Sequence, residues 1–154
     1  MKGDFLMVIK KGENIEGIYK YKKGKEIKLP LFISKVPAGF PSPAEDYIEK
    51  YLDLNEFLIK HPSATFFVKV SGNSMINAGI HDGDILIVDR ALEPKNNDIV
   101  IAVIDGELTV KRLVIKNKKI YLYPENSNYK PIEIGNEEYD LLIWGVVTYV
   151  IHKL

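Results

Sequence analysis

Ile99-Val100-Ile101-Ala102-Val103-Ile104-Asp105-Gly106-Glu107-Leu108-Thr109-Val110-Lys111-Arg112-Leu113-Val114 is the stretch that decides the fold. Two apolar runs rich in β-branched residues flank Asp105-Gly106, a dipeptide suited to a two-residue hairpin turn. The pattern predicts antiparallel strands over 98–104 and 107–115. Similar runs predict strands over 65–70, 84–89, 118–123 and 140–151. Turn-forming clusters separate them: Asp82-Gly83-Asp84, Glu93-Pro94-Lys95-Asn96-Asn97 and Pro124-Glu125-Asn126-Ser127-Asn128. Many short strands with little helix indicate a compact, mostly β fold, largely antiparallel. Trp144 and Tyr149 are expected to pack the last strand.

Toward the N-terminus the pattern weakens. Residues 12–28 are rich in Lys and Gly and lack helical periodicity, which predicts an arm, at most a loose hairpin, ordered only where it packs on something else. The segment 29–43 holds Pro30, Pro37, Pro41 and Pro43, which forbid helix and disfavour a central strand. Such an extended segment, with the small pair Ala38-Gly39 inside it, suits either an interdomain linker or a protease cleft. Ser42 as N-cap, Pro43 and Glu45 then predict a helix start. Ala44, Tyr47, Ile48, Tyr51 and Leu52 recur at helical spacing behind it. Asp53 and Glu56 predict a second short helix, ended by His61-Pro62.

The 154 residues suit one domain with an appendage, and 46% hydrophobic content is ample for a core. Net charge is zero, so there is no global sign of nucleic-acid binding, but the charge is uneven. Residues 1–38 carry nine Lys against four acids, and the rest carries twelve Lys or Arg against seventeen acids. This reads as a basic arm on an acidic body, +5 against −5. The absence of cysteine excludes disulfides and thiol chemistry. No run approaches the ~18 apolar residues that span a membrane. The apolar core of Met1–Ile9 is too short for a signal peptide. A soluble, cytoplasmic protein is expected.

The candidate chemistry lies at two strand positions. Val70-Ser71-Gly72-Asn73-Ser74-Met75 ends the strand 65–70 in a tight turn, which places the Ser74 hydroxyl where a strand breaks. A hydroxyl needs a base. His61, His81 and His152 sit in no triad signature. Lys111 lies in an apolar strand, where alternation puts it on a face with Thr109 and Leu113 and turns Arg112 away. Free lysine has a pKa near ~10.4, so a base at neutral pH must be depressed by roughly three, about 4 kcal/mol. Leu108, Val110 and Leu113 are the expected apolar surroundings, and Arg112 a neighbouring charge that favours neutral Lys111.

Ser71-Gly72-Asn73-Ser74-Met75, Gly79-Ile80-His81-Asp82-Gly83-Asp84-Ile85-Leu86-Ile87-Val88-Asp89 and Gly106-Glu107-Leu108-Thr109-Val110-Lys111-Arg112-Leu113 resemble the self-cleaving serine peptidase family of LexA repressors and UmuD proteins. Gly39-Phe40-Pro41-Ser42-Pro43-Ala44-Glu45-Asp46-Tyr47, Asp53-Leu54-Asn55 and His61-Pro62-Ser63-Ala64-Thr65 resemble the UmuD branch in particular. The likeness runs from about residue 36 to the end.

It implies the family's β-rich fold, with an arm over 1–38 and a peptidase domain over 39–154. It also implies Ser74 as nucleophile, Lys111 as base and Ala38-Gly39 as the scissile bond. The oxyanion is expected on backbone N–H groups of Ser74 and Met75. The implied function is that of an SOS-response mutagenesis subunit. A RecA filament on single-stranded DNA stimulates cleavage, and the product homodimerises and joins a UmuC-type Y-family polymerase for translesion synthesis. No cofactor, metal, membrane or direct specific DNA contact is expected. A LexA-type repressor needs a helix-turn-helix, which the Gly- and Lys-rich first 38 residues do not supply. A signal peptidase needs a membrane anchor. A non-catalytic module with a vestigial dyad is the remaining alternative.

Overall fold

The computed structural model describes residues 10–11, 14–32, 48–135 and 141–154. The element order is β1 (Lys10–Lys11), β2 (Ile15–Lys20), β3 (Lys28–Phe32), β4 (Ile48–Asp53), α1 (Leu54–Leu58), β5 (Thr65–Val70) and β6 (Ile85–Asp89). Then come β7 (Ile99–Ile104), β8 (Glu107–Lys116), β9 (Lys119–Tyr123), β10 (Ile132–Ile134) and β11 (Leu141–Ile151). The mostly β class is as the sequence predicts, and the strand runs from Thr65 onward form within a residue of their expected bounds. β10 gave no signal in the sequence. Its three residues pair with β9 after the turn cluster at 124–128.

The main sheet has the order β10-β9-β8-β7-β11-β6-β5-β2. β7 and β8 form the expected hairpin, Ile104 opposite Glu107, with φ of 49° at Asp105 and 83° at Gly106. Both faces of β7 are covered. Ile101 and Val103 enter a core with Val68, Leu86, Val88, Leu108, Val110 and Trp144. Val100 and Ala102 enter a second core with Leu113, Leu122 and Ile134. Trp144 is buried edge-on to Phe66 at 5.0 Å, with the Arg90 guanidinium over its ring at 4.6 Å. Tyr149 does not pack the core; it is 42% exposed, beside Phe57.

The arm is built into this sheet. β2 pairs antiparallel with β5, Ile15 opposite Val70, and Ile15 is 5% exposed in the first core. Tyr21 continues the docking, its N–H on the Thr65 carbonyl at 3.0 Å and its ring edge-on to Phe67. β1 pairs parallel with β8, Lys10 opposite Glu107. Lys11 and Ile15 are at most about 14 Å apart along an extended chain. The β8 edge and the β5 end of the sheet must therefore lie within that reach, so the sheet curls until its strands from opposite ends meet. The arm-to-body ion pair among the described residues, Glu16 with Lys69 at 3.6 Å, runs against the bulk charge asymmetry. The arm is held by strand pairing and apolar burial rather than by its lysines.

One element differs from expectation. The helix expected behind Ser42 is absent from its described part: Ile48–Asp53 is β4, paired with β3, Leu52 opposite Leu29. Pairing with β3 overrides the helical spacing of Ile48, Tyr51 and Leu52. Pro30 is tolerated in β3 because this two-stranded sheet has only edges. The second helix forms as α1, with Asp53 as N-cap accepting the Glu56 N–H at 3.0 Å. Ala38, Gly39 and residues 42–47 lie outside the described residues. Among the described residues no helix is long and apolar enough to cross a membrane.

Candidate active site

Ser74 follows the end of β5, in the loop 71–84 that returns the chain to β6. Gly72, Gly79 and Gly83 take positive φ along this loop, and its base is closed by two bonds between Val70 and residues 83–84. Gly72 N–H donates to Asp82 Oδ1 at 2.8 Å. The loop is braced from outside: Asn77 N–H donates to the Glu125 carbonyl and Asn126 Nδ2 to the Asn73 carbonyl, both at 2.8 Å. Glu125 is in turn paired with Arg112 of β8. Arg112 thus ties the bracing loop to β8, and its charge is met by Glu125.

Lys111 reaches the same place from β8. Alternation sends Leu108 and Val110 into the first core and turns Thr109 and Lys111 the other way, the face that Leu113 shares. Leu108 and Val110 therefore do not surround the amine as expected. Lys111 Nζ donates to Thr109 Oγ1 at 3.0 Å and to the Val110 carbonyl at 3.1 Å. Ser74 and Lys111 line one cavity of about 200 Å³ with Asn14, Gly72, Thr109 and Tyr129.

Asn14, from the arm, stands between them. Its Nδ2 donates to Ser74 Oγ at 3.2 Å and to the Val110 carbonyl at 3.4 Å. Its Oδ1 accepts from the Val110 N–H at 3.4 Å and from Thr109 Oγ1 at 3.2 Å. A hydrogen-bonded path thus runs from Lys111 through Thr109 and Asn14 to Ser74. A carboxamide carries the donor and acceptor of a peptide group, so Asn14 pairs with Val110 as a neighbouring strand would. It fills the gap in the β8 edge between β1, which pairs at 107–108, and β9, which starts at Arg112. An extended peptide docked at that edge would meet both Ser74 and Lys111. Asn14, Thr109 and the bracing residues Glu125 and Asn126 were not legible as site residues.

A family model described as Peptidase S24-like matches residues 30–148, which include both Ser74 and Lys111. Protein SamA of Salmonella typhimurium is 52% identical over 124 residues, 80% of this chain and 85% of SamA. Protein ImpA of Escherichia coli is 47% identical over 135 residues, 80% of this chain and 83% of ImpA. A LexA repressor of a Shewanella species is 39% identical over 128 residues, 83% of this chain and 61% of the repressor. Matches this long and this similar leave one assignment: the chain belongs to the Peptidase S24-like family.

Proposed function

We propose that the chain is a UmuD-type self-cleaving serine endopeptidase of the SOS response, acting on its own Ala38-Gly39 bond. The observation that carries this reading is the shared cavity of Ser74 and Lys111 beside the stretch of β8 edge that Asn14 covers in place of a strand. Neutral Lys111 takes the Ser74 proton as Oγ attacks the Ala38 carbonyl carbon. Backbone N–H groups of Ser74 and Met75 hold the oxyanion. Lys111 then gives that proton to the leaving nitrogen of Gly39. Water, deprotonated by Lys111, releases Ala38 from the acyl-enzyme. Gly39 lets the backbone pass close to the nucleophile, and Ala38 fits a narrow site.

In the arm-docked form Asn14 holds the place of the substrate strand. The RecA filament on single-stranded DNA favours displacement of Asn14 and docking of the 38–39 segment, without supplying catalytic groups. Cleavage yields Gly39–Leu154, a homodimer that joins a UmuC-type Y-family polymerase for translesion synthesis. An arm that leaves also opens the β5 edge, where a partner strand can pair.

The test is incubation of the purified chain at mildly alkaline pH. A shortened product that forms faster as pH rises, and is absent from Ser74→Ala, Lys111→Ala and Lys111→Arg, is the expected result. Arg fails because it stays protonated. Cleavage in Ser74→Ala overturns the mechanism.

A further inference from the structure

Away from the Ser74 cavity, three ligating side chains converge at the base of the same loop. His81 and Asp84 close that loop, and His152 follows β11. One donor atom from each lies within 4.8 Å of the others. His152 Nδ1 is 2.6 Å from Asp84 Oδ1, and His81 Nδ1 is 3.7 Å from Asp84 Oδ2. The two imidazoles, 4.5 Å apart at 34°, thus address the two oxygens of one carboxylate. Asp84 is 3% exposed and fixed by the His81 N–H, which donates to Oδ2 at 2.8 Å.

A histidine–carboxylate pair needs only His152. His81 Nδ1 is also buried against this carboxylate, yet it has no hydrogen-bond partner, and 3.7 Å is too long for one. A buried polar atom in that condition calls for a specific explanation, such as a bound ion.

We propose that His81, Asp84 and His152 form a divalent-metal site, with zinc as the ion this donor set fits. Two imidazole nitrogens and a carboxylate oxygen are ordinary zinc ligands, with bonds of about 2.0–2.2 Å that place tetrahedral donors roughly 3.4 Å apart. The His81–Asp84 separation is near that already. With Oδ2 as the ligating oxygen, His152 leaves Oδ1 and turns to the ion, which replaces the hydrogen on its Nδ1, and that hydrogen moves to Nε2. Water takes the fourth position. Asp84 and Gly83 also hold Val70 through backbone bonds of 3.0 and 2.9 Å. The ion is therefore a staple that joins the base of the Ser74 loop to the C-terminal end of β11. No local motif signals it, since His152 lies 68 residues from Asp84.

The test uses the untagged full chain, stripped with a chelator and titrated with zinc by calorimetry. Cobalt absorption reports the ligand geometry. The expected result is one ion per chain and a higher Tm with zinc. His152→Ala and, independently, His81→Ala weaken binding by more than the ~10–100-fold that loss of an outer partner costs. Both variants lose the Tm shift while circular dichroism stays that of the parent. His61→Ala, at a histidine paired elsewhere with Asp89, binds as the parent does. No stoichiometric uptake by the parent, or parent-like affinity in either His152→Ala or His81→Ala, overturns the proposal.

Discussion

Asn14 decides whether the arm-docked form is a resting or a working state. Its amide donates to Ser74 Oγ and occupies the β8 edge, and Lys111 Nζ is turned to Thr109. A substrate strand must break that contact. A net hydrogen bond contributes about 1 kcal/mol, so Asn14→Ala is expected to speed spontaneous cleavage about fivefold. Time courses of product formation check this; slower cleavage means that Asn14 completes the site instead of blocking it. Strand ends and alternation, which are local properties of sequence, offered Ser74 and Lys111 only as weak candidates, and the resemblance to self-cleaving peptidases selected them. Asn14 was not, because its partners Ser74 and Val110 lie 60 and 96 residues away. The pairing of β1 with β8 before it and of β2 with β5 after it brings it there.

At the scale of elements, strand signals held where pairing and periodicity agreed, as in β7–β8. The helix signal failed at Ile48–Asp53, where a helical stripe was outweighed by a partner strand, β3, that the sequence did not reveal. Asp53 joins these elements. The Glu56 N–H, then the Ile27 N–H, hold its carboxyl below its ordinary value of 3.8. A depressed carboxyl stabilises the fold fully above the unfolded value and loses that contribution as pH falls through the lower folded one. Stability of the parent is therefore expected to drop on acidification below about pH 4, and Asp53→Asn to flatten that drop. Unfolding curves across that range check it; equal acid slopes contradict it. In β11, a Cβ on Gly145 would lie 2.6 Å from Val88 Cγ1, a side chain with no exposed surface. Gly145→Ala is expected to cost about 1–3 kcal/mol in denaturant unfolding, as overpacking does. Ile15→Ala, in the buried part of β2, is expected to cost about 2–4 kcal/mol by the same measurement.

For the whole molecule, the charge count suggested a basic arm lying on an acidic body, while the strands give the arm its place. β1 and β2 belong to the main sheet and β3 pairs with β4 across the Ala38-Gly39 segment. Cutting that bond leaves those pairings intact. Residues 1–38 are thus expected to co-elute with Gly39–Leu154 on native gel filtration after cleavage and to separate only in denaturant or when a partner takes their place. Early native release contradicts the docked-arm account. On the proposed function, Ser74, assisted by Lys111, cuts this chain at one bond. The most direct test is N-terminal sequencing and mass measurement of the product formed by the parent, beside Ser74→Ala and Lys111→Ala. A new N-terminus at Gly39 in the parent and intact chain in both variants are expected; a start at any other residue, or the same product from Ser74→Ala, rules out cleavage of Ala38-Gly39 by Ser74.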